Sequence, residues 1–69
     1  MRSKERIKDF LDQIADRWED EAIVDWRFGQ LMSNFNNWLV CNGRDWFYME
    51  EDCFMEYFDL FLKVIKNEL

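Results

Sequence analysis

The chain has 69 residues, fifteen Asp and Glu against nine Lys and Arg for a formal charge of −6, no His, no Pro, and thirteen aromatic residues (seven Phe, four Trp, two Tyr). Without His, the usual neutral-pH acid–base group and the commonest metal ligand are missing, which excludes Ser-His and Cys-His catalysis and Cys₂His₂ zinc sites. At this size only about 60% of the unfolded surface can be buried, so some of the rings must stay partly exposed, and the net acidity repels nucleic acid and anionic membrane.

Residues 4–19 set Ile7, Phe10, Leu11, Ile14 and Trp18 on one stripe at helical spacing, which predicts a first helix. Ser3 is its candidate N-cap, and the Glu19-Asp20-Glu21 cluster, unfavourable at a helix C-terminus, ends it. A second helix is expected over 26–40, capped by Asp25, with Phe28, Leu31, Met32, Phe35, Trp38 and Leu39 on its apolar face and a stop at Gly43. Gly29 inside it costs about 1 kcal/mol relative to Ala, which points to a neighbour crossing closely there.

The third helix is expected over 50–67. It opens on Glu50-Glu51-Asp52, where a helix N-terminus favours negative charge, and its deepest stripe is Phe54, Tyr57, Phe58, Phe61 and Ile65. Cys53, Leu60 and Val64 widen that stripe on one side, Met55 and Leu62 on the other. So wide an apolar arc belongs either to the central helix or to one with an extra contact surface. The expected architecture is an all-α three-helix bundle, one domain over residues 1–69.

Cys41 and Cys53 lack CxxC spacing and His partners, and the N-terminus is charged rather than a targeting segment. A reduced, cytoplasmic, non-membrane chain is expected, with a Cys41–Cys53 disulfide as the alternative. Neither a cofactor nor a metal is expected. A calcium loop starting at Asp45 fails because Phe47 and Met49 occupy its third and fifth positions.

Charge is the main functional signal. Glu5, Asp9, Asp12, Asp16 and Glu19 recur at i, i+4, i+7, i+11 and i+14 and form a ridge opposite the apolar stripe. They repeat about every 5 Å along the axis, which offers a DNA-like row of charge to a protein that normally binds nucleic acid. The plainer reading is a solvated face, part-neutralised by Arg2, Lys4, Arg6, Lys8 and Arg17 through i,i+4 pairs. Glu50, Glu51, Asp52, Glu56 and Asp59 form a second acidic patch in a stretch from Asp45 to Asp59 that has no Lys or Arg. The second helix shows Arg27, Gln30 and Asn34, residue types that read base edges, or, more plainly, an Arg27 that pairs with Glu51 or Asp52. Trp26, Trp46 and Tyr48 are the candidate exposed aromatics.

Asp25, Arg27, Gly29, Gln30, Leu31 and Asn34 match the pattern D-x-R-x-G-Q-L-x-x-N, and Phe47, Tyr48, Glu50 and then Glu51 or Asp52 follow F-Y-x-E-D. In this the chain resembles a family of small, largely uncharacterised acidic bacterial and phage-type proteins. Val24 stands where relatives carry Pro, and Glu51 shifts the acidic pair by one position. The resemblance covers most of the chain and implies a mobile-element product that binds and modulates a host protein. The leading expectation is a non-enzymatic inhibitor of a larger protein, of the anti-CRISPR or anti-restriction kind, with no direct nucleic-acid or membrane partner. The alternatives are a homodimer or assembly subunit using the wide face of the third helix, and a small DNA-binding domain.

Overall fold

Each of the three apolar stripes is realised as a helix. The computed structural model describes residues 2–67, with α1 at Glu5–Trp18, α2 at Phe28–Cys41 and α3 at Glu51–Ile65. The helix with the widest apolar arc, α3, is the central one: α1 and α2 each pack on it and make no close backbone approach to one another. Its Phe54, Met55, Phe58 and Phe61 are buried between them. Of the residues that widen its stripe, Leu60 and Val64 remain exposed, and Ile65, expected in the deepest stripe, is corrected to an exposed position at the end of the helix.

The core is almost entirely aromatic and aliphatic, and every buried residue among those described is apolar. Phe35 of α2 lies against the rings of Phe54, Phe58 and Phe61 at centroid distances of 4.9, 5.0 and 5.3 Å. Trp38 and Trp46 close around it at 6.2 and 6.1 Å. Edge-on, tilted and stacked pairs of this kind add about 0.5–1.5 kcal/mol each beyond the area they bury. They give a thin core its cohesion.

Two expectations for the first helix are corrected. Ile7 and Leu11 belong to its apolar stripe by spacing, yet Leu11 is 56% exposed and Ile7 nearly as open, because α1 packs chiefly on α3, through Phe10 and Ile14, and meets α2 at its end, where Trp18 lies against Phe28. Lys4 occupies the N-cap position, without a side-chain cap, while the Ser3 hydroxyl accepts the Glu5 N–H at 3.2 Å one position further out. The helix ends at Trp18, beside the acidic cluster.

The segment between α1 and α2 supplies a core residue that has no periodic signal in the sequence. Ile23 is fully buried, fixed by consecutive turns in which its N–H donates to the Asp20 carbonyl and its own carbonyl accepts the Trp26 N–H, both at 3.0 Å. The same turns delay α2 until Phe28. Asp25 therefore does not cap it, and Arg27, with an extended backbone and no side-chain cap bond, holds the N-cap position.

The stop at Gly43 is as expected. Gly43 has φ +72°, its N–H donates to the Val40 carbonyl at 3.0 Å, and the Arg44 N–H donates to the Leu39 carbonyl at 2.9 Å. This is the paired bonding of a Schellman cap, which needs a left-handed residue that glycine adopts without strain. Gly29 is different: a Cβ built there would meet nothing within 4 Å, so no neighbour crosses at it. At the far end α3 stops at Ile65, and Asn67 takes the left-handed position with φ 60°.

Phe35→Ala is expected to cost about 3–5 kcal/mol, enough to unfold so small a domain, whereas Leu11→Ala, at an exposed position, is expected to cost under about 1 kcal/mol. Urea denaturation followed by tryptophan fluorescence measures both.

Candidate functional site

The acids of the ridge share one side of α1 because 3.6 residues per turn brings positions 5, 9, 12, 16 and 19 into register. Glu5, Asp9, Asp12, Asp16 and Glu19 are all exposed, on the side of the helix away from Phe10 and Ile14. The decisive feature is where the neighbouring bases go. Arg2 pairs with Glu50, and Arg6 pairs with Glu51 at 2.8 Å. Arg17 forks onto Asp59, its Nε 2.8 Å from one carboxylate oxygen and its Nη2 3.3 Å from the other.

The three arginines therefore join α1 to α3 and its N-terminal approach, and their ion pairs are made there and not with the ridge, although the charge of Asp16 also acts on Arg17. Intrahelical i,i+4 neutralisation is confined to Lys8 on Asp12, at 3.0 Å. That contact, first by hydrogen bond and then by charge, raises the Lys8 ammonium above its ordinary value, with Asp9 adding to it. At the start of the ridge the Ser3 hydroxyl, and after it the Glu5 N–H, hold the Glu5 carboxyl below its ordinary value. Asp59 raises Arg17 further, so the inward arginine stays charged.

The second acidic patch is thus partly consumed. Glu50, Glu51 and Asp59 face the arginines, and Asp52 accepts the Cys53 N–H at 2.8 Å. Glu56 alone of the five has neither an ion pair nor a side-chain hydrogen bond among the described residues. The carboxylates also diverge too far to share an ion: no group of three or more His, Cys, Asp or Glu that could hold a metal occurs among the described residues.

The polar face of α2 behaves differently from its expectation. Arg27 does not pair with Glu51 or Asp52, since Glu51 has taken Arg6 and Asp52 has turned to its own helix start. Arg27 and Gln30 are exposed and Asn34 is half-buried. Arg44, the nearest other base in sequence, lies over the Tyr57 ring at 5.6 Å, a cation–π contact.

Of the expected exposed aromatics, only Tyr48 is open, at 89%, and Phe47 beside it is 77% exposed. Trp26 and Trp46 are half-buried and are corrected to the rim of the core. Trp26 stands edge-on to Phe61 at 6.4 Å and its carbonyl accepts the Trp18 indole N–H at 3.0 Å. Trp46 stacks on Phe54 at 5.6 Å. The turn around Asp45, whose carboxylate accepts the Phe47 N–H at 3.0 Å, folds the loop back so that Trp46 reaches the core while Phe47 and Tyr48 pair outside it.

Spacing did not disclose a second feature, an open apolar groove. Between α1 and α2 lies a cleft of about 420 Å³, walled by Phe10, Leu11 and Ile14 of α1, Phe28 and Met32 of α2, and Trp46 and Phe54. Phe28, 57% exposed, tilts against Trp18 at 5.7 Å and closes one end. A depression beside the Asp20–Lys66 pair, of about 500 Å³ and more open to solvent than the groove, is lined by Asp20, Glu21, Ala22 and Lys66.

Both cysteines are free thiols, Cys41 exposed and Cys53 half-buried. No helix among the described residues is long and apolar enough to cross a membrane. Comparison with known proteins finds no matching family model, no matching curated protein and no matching solved structure. The functional reading therefore stands on the residues themselves.

Asp20 ties the end of α1 to the end of α3. Its carboxylate accepts the Ala22 N–H at 2.9 Å and the Lys66 ammonium at 3.1 Å, and these hold its pKa below the ordinary 3.8, the Ala22 bond contributing most. A depressed folded-state pKa means stability that is complete above the unfolded value and is lost as pH falls through the lower one. Asp20→Asn is expected to reduce the loss of melting temperature on acidification from about pH 6 to about pH 2, measured by circular dichroism.

Proposed function

We propose that the protein is a non-enzymatic binding protein whose acidic ridge docks on the basic surface of a larger protein, one built to hold nucleic acid, and so modulates or inhibits it. In this reading it acts as a phage-type nucleic-acid mimic of the anti-CRISPR or anti-restriction kind. One observation carries the reading: Arg2, Arg6 and Arg17 are spent on Glu50, Glu51 and Asp59, which leaves the exposed row Glu5, Asp9, Asp12, Asp16 and Glu19 with Lys8 as its one ion-pair partner among the described residues.

A row of carboxylates about 5 Å apart on a rigid helix resembles the charge a nucleic-acid-binding groove is shaped to receive. The helix fixes the spacing before the partner arrives, which lowers the ordering cost of docking. Binding of this kind is steered by charge, and its rate and affinity fall as salt rises.

The test compares the parent chain with the triple variant Asp9→Lys, Asp12→Lys, Asp16→Lys. Each is immobilised and offered the heparin-retained proteins of the source cells, and the captured protein is then assayed for release of bound duplex DNA. The parent is expected to retain a partner that elutes with rising salt and to displace duplex DNA from it. The variant, with an unchanged helical circular dichroism spectrum, is expected to bind more than about tenfold more weakly. Equal retention by the two chains would sink the mimicry reading.

A further inference from the structure

We infer that the exposed ring pair of Phe47 and Tyr48, standing beside the start of α1, is the anchor that receives an arginine of the partner protein. The inference rests on the reading that the ridge docks on a surface built to hold nucleic acid. All the other aromatic residues lie in the core, pack against it or, like Phe28, lean on a ring that does. Phe47 and Tyr48 meet each other edge-on at 4.7 Å and meet no third ring among the described residues. Both are largely exposed, in a chain whose small core has every use for further apolar area.

Nothing in the local backbone calls for rings there. Trp46 to Met49 form a four-residue turn, closed by the Met49 N–H donating to the Trp46 carbonyl at 3.1 Å. Phe47 and Tyr48 are its central residues, where Asp, Asn, Ser, Gly or Pro serve a turn best. The turn is nevertheless tied down on both sides. Trp46 stacks on Phe54 and the Asp45 carboxylate accepts the Phe47 N–H before the bend, while Met49 packs on the core and Glu50 pairs with Arg2 after it. Rings held out from a tethered turn lose little freedom on contact, which is the property of an interface anchor.

Charge identifies the occupant. The ion pairs of Arg2 with Glu50 and of Arg6 with Glu51 bring the end of this turn to the start of α1, so the rings stand at the Glu5 end of the ridge. Glu50 and Glu51 are spent on those arginines, but Asp45 and Asp52, which flank the rings in sequence, accept only backbone N–H groups and have no ion pair among the described residues. An apolar pocket closing over the rings would strip water from these carboxylates without giving them a partner. A guanidinium lies flat on a ring face and donates to a carboxylate at the same time. The chain makes the stacking part of that contact within itself, where Arg44 lies 5.6 Å over the Tyr57 ring. Arginine is also the residue that nucleic-acid-binding surfaces use for phosphates and for stacking. The ridge then meets the charge of such a surface, and the ring pair meets an arginine at its edge.

Titration of the full chain with deca-arginine and deca-lysine peptides, at about 0.15 M salt and followed by nuclear magnetic resonance, tests the inference. Saturating deca-arginine is expected to shift the ring protons of Phe47 and Tyr48. Phe47→Ser with Tyr48→Ser, at positions the core does not use, is expected to weaken deca-arginine binding about fivefold and deca-lysine binding less than about twofold, with helical circular dichroism unchanged. The ridge variant Asp9→Lys, Asp12→Lys, Asp16→Lys is expected to weaken both peptides, while saturating deca-arginine still shifts the two rings. Failure of the ridge and failure of the ring pair are thereby told apart: a ridge variant that binds both peptides undiminished, with the rings still shifted, counts against the ridge alone and supports the anchor. Rings of the parent chain that stay unshifted at saturating deca-arginine overturn the inference without any variant. So does a serine variant that binds deca-arginine as tightly as the parent, or one that loses both peptides equally.

Discussion

The insertion of Phe35 between Phe54, Phe58 and Phe61 is the packing event on which the rest of the molecule depends. It sets α2 against α3 over successive turns and draws Trp38 and Trp46 in around the same ring. A chain of 69 residues has no room for a second core layer. With α2 placed in this way, α3 becomes the element that both neighbours share, and α1 attaches to what remains of its surface.

That attachment uses a different kind of interaction. α1 buries Ile14 and packs Phe10 and Trp18 as partly covered side chains, while Arg6 and Arg17 reach across to α3 and Arg2 to the residue preceding it. Exposed ion pairs are individually worth up to about 1 kcal/mol, so their energetic contribution is modest. Their geometric effect is larger. Because Arg6 and Arg17 lie on the α3 side, that flank of the helix is basic while the carboxylates face outward with Lys8 beside them. The apolar groove arises from the same arrangement, since a helix held along its basic flank leaves Ile7 and Leu11 without a partner.

The number, order and type of elements were legible in the sequence because each helix has an unbroken 3.6-residue apolar pattern, and the stop at Gly43 was legible because a left-handed cap calls for glycine. Periodicity identifies an apolar face but not the neighbour that covers it, and for that reason Ile7 and Leu11 read as core and are exposed. Connectors carry no period. Ile23 gave no signal before its turns placed it in the core, and Trp26 and Trp46 read as surface aromatics before turns on either side folded them back. The pairing of the arginines was hidden for a related reason: i,i+4 neighbours can be read from spacing, whereas Glu50, Glu51 and Asp59 become neighbours only through tertiary structure. The position of the ridge itself was readable, because it is fixed by a single helix.

The unequal way in which the two outer helices are held also divides the molecule in time. Residues 2–9 are exposed throughout, and the groove already admits solvent along much of the inner side of α1. Its amides can therefore exchange hydrogen through openings that leave the ring cluster of α2 and α3 closed, at a lower free energy than global unfolding. Those openings break the three arginine pairs together with the apolar contacts of Phe10, Ile14 and Trp18, so added salt raises their frequency modestly. The element that bears the acidic row is thus the first of the three to open, while its helical spacing is kept for as long as Phe10 and Ile14 stay packed.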